Sequence, residues 1–282
     1  METLVIGSTS TIGRAIAEAC AEFGPVEMAG RRQADVFVDL SESNAVPAID
    51  TTYDVVIHAA ADFGGAADAD IVRAEQVNAI GTLMACRAAR TARARHFILI
   101  SSISAEYLED HHYFDIYALS KRHSEDLAAF YCRRYNINIT ILRPTQIYDE
   151  ADNCSKHQPL FYTIVDRAFV GDDVHIYGTR DTRRNYLFIG DLAFTVSQVA
   201  KQSITGTFAC AHPDTPSSTE IASTAFDVFK RGGCVRFLAD KNDIPHTPSP
   251  TDFEIYKRIG YWPTVNLREG LTRIRDFREK GL

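Results

Sequence analysis

Short apolar runs recur through the first half of the chain, at 4–7, 26–29, 36–39, 54–58, 97–100 and 139–142. Each has the length of a strand. Between them lie longer segments, 12–23, 69–92 and 121–135, whose apolar residues recur at helical spacing. Strand and helix in regular alternation predict a parallel sheet covered on both faces, joined by right-handed crossovers.

The pattern changes after Pro144. Residues 149–159 are polar and read as a loop, 160–170 as a helix, and 174–177 and 185–189 as short strands. A helix at 191–202 opens on an acidic residue, and a strand at 207–211 follows. Residues 218–230 form a further helix with Ser218 or Thr219 near its cap. The three prolines of 243–250 mark a loop, and 267–278 is the closing helix. No repeat or low-complexity tract is visible. The division expected is a nucleotide-binding domain at 1–148, to which 186–206 returns, and a substrate-binding region at 149–185 and 207–282.

Composition narrows the function classes. The chain has 282 residues, 45% hydrophobic and 24% charged, an ordinary globular balance. A formal net charge of −7 gives no global signal for nucleic acid. No apolar stretch approaches the ~20 residues needed to cross a bilayer. The first apolar run begins almost at Met1, with no charged region and long apolar core before it. No signal peptide is expected, and the location expected is the cytoplasm. Six scattered cysteines without a C-x-x-C pair read as reduced, mostly buried thiols. The histidines form no H-x-x-x-H helix pair, so no metal site is expected.

Candidate chemistry begins at Gly7-Ser8-Thr9-Ser10-Thr11-Ile12-Gly13, which follows the first strand and opens the first helix. That context suits a dinucleotide diphosphate: Gly7 permits the tight turn, Gly13 permits close helix–strand packing, and N–H groups at the helix start favour an anion. Ser10 stands where a middle glycine is usual, and its small size still allows backbone approach. The second strand ends at Arg31-Arg32, with no acidic residue to take the ribose hydroxyls. Two guanidinium groups there favour a 2′-phosphate, and so NADP(H) over NAD.

With these residues and those that follow, the chain resembles an extended short-chain dehydrogenase/reductase of the NAD-dependent epimerase/dehydratase family, nearly end to end. Val38-Asp39-Leu40-Ser41 matches a segment whose acidic residue contacts the adenine amino group and whose neighbour packs on the ring. His58-Ala59-Ala60-Ala61 is similar to the H-x-A-A segment lining the cofactor, and Asn78 falls in an N-x-x-G-T helix. Ser101-Ser102 ends a strand, and Tyr117 to Lys121 supplies Y-x-x-x-K. Leu142-Arg143-Pro144 resembles the stretch passing the nicotinamide. The run from Arg184 to Asp191 resembles R-D-x-x-x-V-x-D, whose arginine commonly holds the substrate diphosphate. The resemblance implies a Rossmann doubly wound parallel sheet with a smaller C-terminal α/β region. It also implies a homodimer built on helices near 74–92 and 121–135, where Leu83, Ala85, Phe130 and Tyr131 stand as extra apolar positions.

The residues carry their own argument. A helix places Tyr117 and Lys121, four apart, on one face. A free tyrosine pKa of about 10 is too high for ready proton transfer at neutral pH, and a nearby ammonium together with the positive nicotinamide is expected to lower it. Ser102 can hydrogen-bond the reacting oxygen. The resemblance implies a tyrosine shortly after this serine, and counting back from Tyr107 points between Ser102 and Ser104, which leaves Ser104 as the alternative. His111 and His112 read as surface or lid residues.

For the reaction, Asp-Glu after the catalytic hydroxyl would suit a 4,6-dehydratase, and Ile103-Ser104 stands there instead. Arg31 and Arg32 favour reduction with NADPH over epimerisation with a retained cofactor. The expected substrate is a nucleoside-diphosphate sugar with a keto group, such as a 4-keto-6-deoxy sugar. Three alternatives stay open: an epimerase, a reductase of small neutral carbonyls that would not need Arg184, and a non-catalytic NADP-binding protein, which would not need an intact Tyr117 and Lys121.

Overall fold

The computed structural model describes residues 1–41, 49–247 and 249–281. Pro248, one of the three prolines of the expected loop, lies outside the described residues. The chain divides into two units, the first made of Met1–Pro144, Leu192–Cys210 and Glu254–Tyr261, the second of Thr145–Asp191, Ala211–Phe253 and Trp262–Leu282.

In chain order the first unit carries β1 (Thr3–Ile6), α1 (Thr11–Ala21), β2 (Val26–Gly30), β3 (Val36–Phe37) and β4 (Val55–His58). Then come α2 (Asp68–Ala74), a π-helical stretch (Glu75–Ile80), α3 (Gly81–Thr91), β5 (His96–Ile100), α4 (Ile116–Tyr135) and β6 (Asn138–Pro144). The second unit contributes β7 (Gln146–Tyr148), α5 (Pro159–Val170), β8 (Val174–Tyr177) and β9 (Tyr186–Phe188). Helix α6 (Ile189–Gln202) leads to β10 (Gly206–Cys210) of the first unit, and α7 (Ser218–Phe229), β11 (Val235–Leu238), α8 (Glu254–Ile259) and α9 (Leu267–Lys280) follow.

Seven strands pair in the order β10-β6-β5-β4-β1-β2-β3, every pair parallel. The order runs outward from β1 in both directions, the doubly wound Rossmann arrangement. Strands β1, β4 and β5 are buried at every position, which requires cover on both faces. Leu4, Ile6, Val56, Phe97 and Leu99 pack there with Ala85, Ala88 and Ala89 of α3 and Ala128 and Cys132 of α4. Ala85, expected at a dimer face, is fully buried in this core, whereas Leu83 and Tyr131 pack on it and Phe130 is 68% exposed. The second unit holds two parallel strand pairs, β7 with β9 and β8 with β11.

The helix expected over 69–92 is three pieces. Over Glu75–Ile80 the coil widens to π geometry, and this brings Asn78 to bury its amide: Nδ2 donates to Ser120 Oγ (2.9 Å) and to the Asp62 carbonyl (2.7 Å). Thr82 Oγ1 donates to the Asn78 carbonyl at 2.6 Å. Helix α4 starts at Ile116, five residues before the expected 121, because Asp115 caps it by accepting from Ala118 N at 2.9 Å. It ends at Asn136 in the left-handed region, φ 55°.

Candidate active site

The glycine loop, Gly7 to Gly13, is built by contact with the chain just after β4. Gly7 has φ +129°, and a Cβ there would stand 3.0 Å from Ala60 N. A Cβ on Gly13 would lie 2.6 Å from the Gly7 carbonyl oxygen, so both glycines are required by space. Ser10 is different: its φ of −74° and ψ of 130° suit any residue, and its Oγ accepts from Gly13 N at 3.2 Å as the cap of α1. The serine therefore replaces glycine without strain. The N–H groups of Thr11 and Ile12 begin the helix, where helix geometry supplies no intrahelical acceptor. Thr9 is exposed beside them. Ser8 Oγ donates to the Arg32 carbonyl at 2.6 Å, tying this loop to the end of β2. Gly30 leaves room for that serine, since a Cβ would sit 2.3 Å from its Oγ.

Arg31 and Arg32 are both exposed. Asp39 Oδ1 accepts from Ser41 N (2.9 Å) and Ser41 Oγ (2.6 Å). Burial pushes its pKa up, but these bonds and the Arg31 charge outweigh it and hold the carboxyl below its usual range. Leu40 is buried and faces Gly81, where a Cβ would meet Leu40 Cβ at 3.0 Å. Ala59 N donates to the Ile6 carbonyl at 2.9 Å, which sets the Ala59-Ala60-Ala61 segment beside Gly7. Pro144 is buried at the end of β6 and pairs in register with Cys210.

At the end of β5 two adjacent serines take opposite partners. Ser101 Oγ donates to Glu125 Oε1 at 2.5 Å. The Ser102 hydroxyl lies close enough to that of Tyr117 to lower its pKa, and it also caps the 3-10 turn Ile103–Glu106 by accepting from Ser104 N at 3.1 Å. Ser104 lies within that turn, so of the two candidates the structure pairs Ser102 with Tyr117. Lys121, one turn along α4 from Tyr117, is 3% exposed. Its Nζ donates to the Ile100 carbonyl at 2.9 Å and stands 5.9 Å from the Tyr117 ring centre.

The electrostatics differ from expectation in one respect. Tyr117 is pushed up to about 12, by burial first and then by Asp115, with the Ser102 hydroxyl opposing. The expected lowering is absent from the protein's own groups because desolvation disfavours a phenolate more than the neighbouring hydroxyl favours it. Burial also pulls Lys121 down to about 8, with Glu125 opposing. His58, buried at the end of β4, is lowered to about 3 by burial and by the Lys121 charge. It is therefore a neutral imidazole at working pH.

A network unseen in sequence lies beneath this set. Arg143 Nε and Nη2 donate to the two Glu125 oxygens at 2.9 and 2.6 Å, and its Nη1 donates to Glu106 Oε1 at 2.5 Å. Tyr117, Lys121 and Glu125 recur at i, i+4 and i+8, one face of α4. That spacing was the available signal.

In the second unit Arg184 is partly buried and its backbone N donates to the Pro216 carbonyl at 3.2 Å. The neighbouring Arg183 pairs with Glu220 at 3.0 Å, and Asp181 accepts from Thr219 N at 3.0 Å. Asn185 is buried and fixes the segment after β10, donating to the His212 carbonyl and Thr215 Oγ1 at 2.7 and 3.0 Å. Among the described residues no group of three or more His, Cys, Asp or Glu is placed to hold a metal ion. No described helix is long and apolar enough to cross a membrane. The cysteines are free thiols, buried except for Cys234.

Among known proteins, the chain is 24% identical over 165 residues to UDP-glucuronic acid decarboxylase 2 of Arabidopsis thaliana, covering 58% of this chain and 37% of that protein. It is 22% identical over 169 residues to a putative UDP-glucose 4-epimerase of Methanocaldococcus jannaschii, covering 56% and 51%. The match thus spans from about two-fifths to half of these relatives' lengths. Its fold is that of RMD from Pseudomonas aeruginosa complexed with NADPH (TM-score 0.81, 15% identity, 100% of both chains). It is also that of the Bacillus cereus UDP-N-acetylglucosamine 4-epimerase (TM-score 0.79, 19% identity, 100% and 97%). The Thermus thermophilus UDP-glucose 4-epimerase complex with NAD is similar too (TM-score 0.76, 20% identity, 100% of both chains). A model of the NAD dependent epimerase/dehydratase family matches residues 3–208, and with that span of the chain matched, this protein belongs to that family.

Proposed function

We propose that the protein is an NADP(H)-dependent reductase of a keto group on a nucleoside-diphosphate sugar, such as a 4-keto-6-deoxy sugar. The observation that carries this is Tyr117 kept protonated, beside Ser102 and one helical turn from a buried Lys121. A phenol pushed up to about 12 carries its proton at working pH, the state from which reduction of a carbonyl starts, and its transfer draws on the Lys121 ammonium to stabilise the phenolate. The names of the relatives supply the substrate class, since they act on UDP-linked sugars.

The glycine-walled turn fits a dinucleotide: Gly7 and Gly13 leave a cradle that a Cβ would fill, and the start of α1 offers N–H donors. Gly7, Thr9, Ser10, Thr11, Ile12 and Gly13 would hold the diphosphate, Arg31 and Arg32 the 2′-phosphate, and Asp39 and Leu40 the adenine. Ala59, Ala60, Ala61, Asn78 and Pro144 would line its path. When bound, the nicotinamide supplies the hydride. Ser102 orients and polarises the carbonyl oxygen, and Tyr117 delivers its hydroxyl proton to that oxygen as the alcohol forms. Lys121 stabilises the phenolate left behind, and Arg184 binds the substrate diphosphate.

We also propose a homodimer built on α3 and α4, with Phe130 of α4, 68% exposed, placed at the interface. The epimerase reading draws on the two epimerase structures with this fold.

The arginines test the cofactor choice. Titration is expected to show NADPH binding at least about tenfold more tightly than NADH, since a charged hydrogen bond is worth about 1.5–3 kcal/mol. Replacing Arg31 and Arg32 with alanine should erase the difference. Equal affinities in the parent would remove the claim.

A further inference from the structure

The loop after β4 aims an aromatic ring at Tyr117. Asp62 N donates to Asn78 Oδ1 at 2.8 Å, and Asn78 Nδ2 returns a bond to the Asp62 carbonyl at 2.7 Å. The Asp62 carboxylate accepts from Gly64 N and from Arg73 Nε, each at 2.8 Å. Gly64 has φ +69°, and a Cβ there would lie 2.5 Å from Ile116 Cγ2 at the start of α4. Phe63 is held between these two fixed residues. Its ring stacks on the Tyr117 ring, centroids 4.8 Å apart and planes 15° from parallel. Phe63 is nevertheless 45% exposed.

The geometry points to Phe63 as a specificity-determining residue: beside Tyr117 it forms an apolar wall against the ring that carries the reacting carbonyl, favouring uncharged, C–H-rich neighbours of that carbonyl over carboxylate-bearing ones. This rests on carbonyl reduction at Tyr117, because a carbonyl oxygen bonded to that hydroxyl brings the adjoining ring carbons next to Phe63. The face of an aromatic ring is the negative end of its quadrupole, so it attracts C–H groups and repels a carboxylate. A carboxylate pressed there would also lose water without gaining a partner. The pinned loop matters because discrimination requires a wall that does not yield.

The test compares the parent with Phe63→Ala and Phe63→Leu on three ketones, using NADPH throughout. Two are a matched pair, 3-methylcyclohexanone and 3-oxocyclohexanecarboxylate. The third is a nucleoside-diphosphate 4-keto-6-deoxyhexose. The parent should prefer the methyl ketone. Phe63→Ala should lower that preference about tenfold and raise KM for the nucleotide sugar by a similar factor, while Phe63→Leu, still apolar, should keep most of the preference. Preference and KM unchanged in Phe63→Ala would overturn the wall and leave the reduction standing. If the nucleotide sugar is inert but the cyclic ketones show the Phe63-dependent preference, the substrate class proposed above falls and the wall stands. If no ketone is reduced, both fall.

Discussion

Tyr117→Phe is expected to lower turnover by about a thousandfold or more while the fold and cofactor affinity persist. The change removes only the hydroxyl beside Ser102, and the ring that stacks on Phe63 remains. The pH dependence should belong to Lys121. Its pKa is lowered to about 8, so the ammonium is present below that pH and is lost as pH rises through it. Tyr117 itself, at about 12, stays protonated across the same range. Turnover should therefore decline above pH ~8, and Lys121→Met should show low turnover with that limb gone. Steady-state rates from pH 6 to 10 check both. Near-normal turnover in Tyr117→Phe would exclude it as the proton donor.

Glu125→Ala should be the most damaging of these changes to stability. Glu125 is 6% exposed and binds Arg143 through both oxygens while accepting from Ser101 at 2.5 Å. Removing it leaves a cation and a hydroxyl without their partner. Breaking a fully buried pair costs about 3–5 kcal/mol, and the Arg143 side chain, 23% exposed, retains some water and its bond to Glu106. A loss of about 2–3 kcal/mol in urea unfolding is expected, with Glu125→Gln nearer 1. The second effect is electrostatic: Glu125 opposes the lowering of Lys121, so its loss should move the alkaline limb of the rate to lower pH. A stability change under about 0.5 kcal/mol would show the network to be solvated.

The parallel sheet was legible because each strand is a short apolar run and each crossover a longer amphipathic one. Gly7 and Gly13 were legible as space requirements, and the Y-x-x-x-K spacing as one face of a helix. Strand β11 was not, because Val235-Arg236-Phe237-Leu238 is broken by an arginine and has no fully buried position, and helix α8, 6 residues long, is too short for a period to declare itself. The π stretch was hidden because periodicity cannot show one widened turn; its cause is long-range, the Asn78 amide reaching Ser120. Glu125 carried no motif, and the Leu142-Arg143-Pro144 resemblance gave no hint of its pairing with Arg143, since pairing across 18 residues has no local signature. The direction of the Tyr117 shift also escaped sequence, because desolvation depends on tertiary burial, whereas the charge of Lys121 is visible in the letters. Phe63 carried no motif, and only the Asp62–Gly64 turn makes its aim apparent.

Under the proposed roles, reduction and epimerisation would both draw on Tyr117 and Lys121 and would differ in what becomes of the cofactor. The decisive measurement is cofactor stoichiometry: a nucleoside-diphosphate 4-keto-6-deoxy sugar mixed with excess NADPH, following absorbance at 340 nm and the sugar product together. The account predicts one NADPH consumed for each keto group lost, with a nucleotide-linked alcohol as product. An isomerised sugar formed with no net change in NADPH would contradict it.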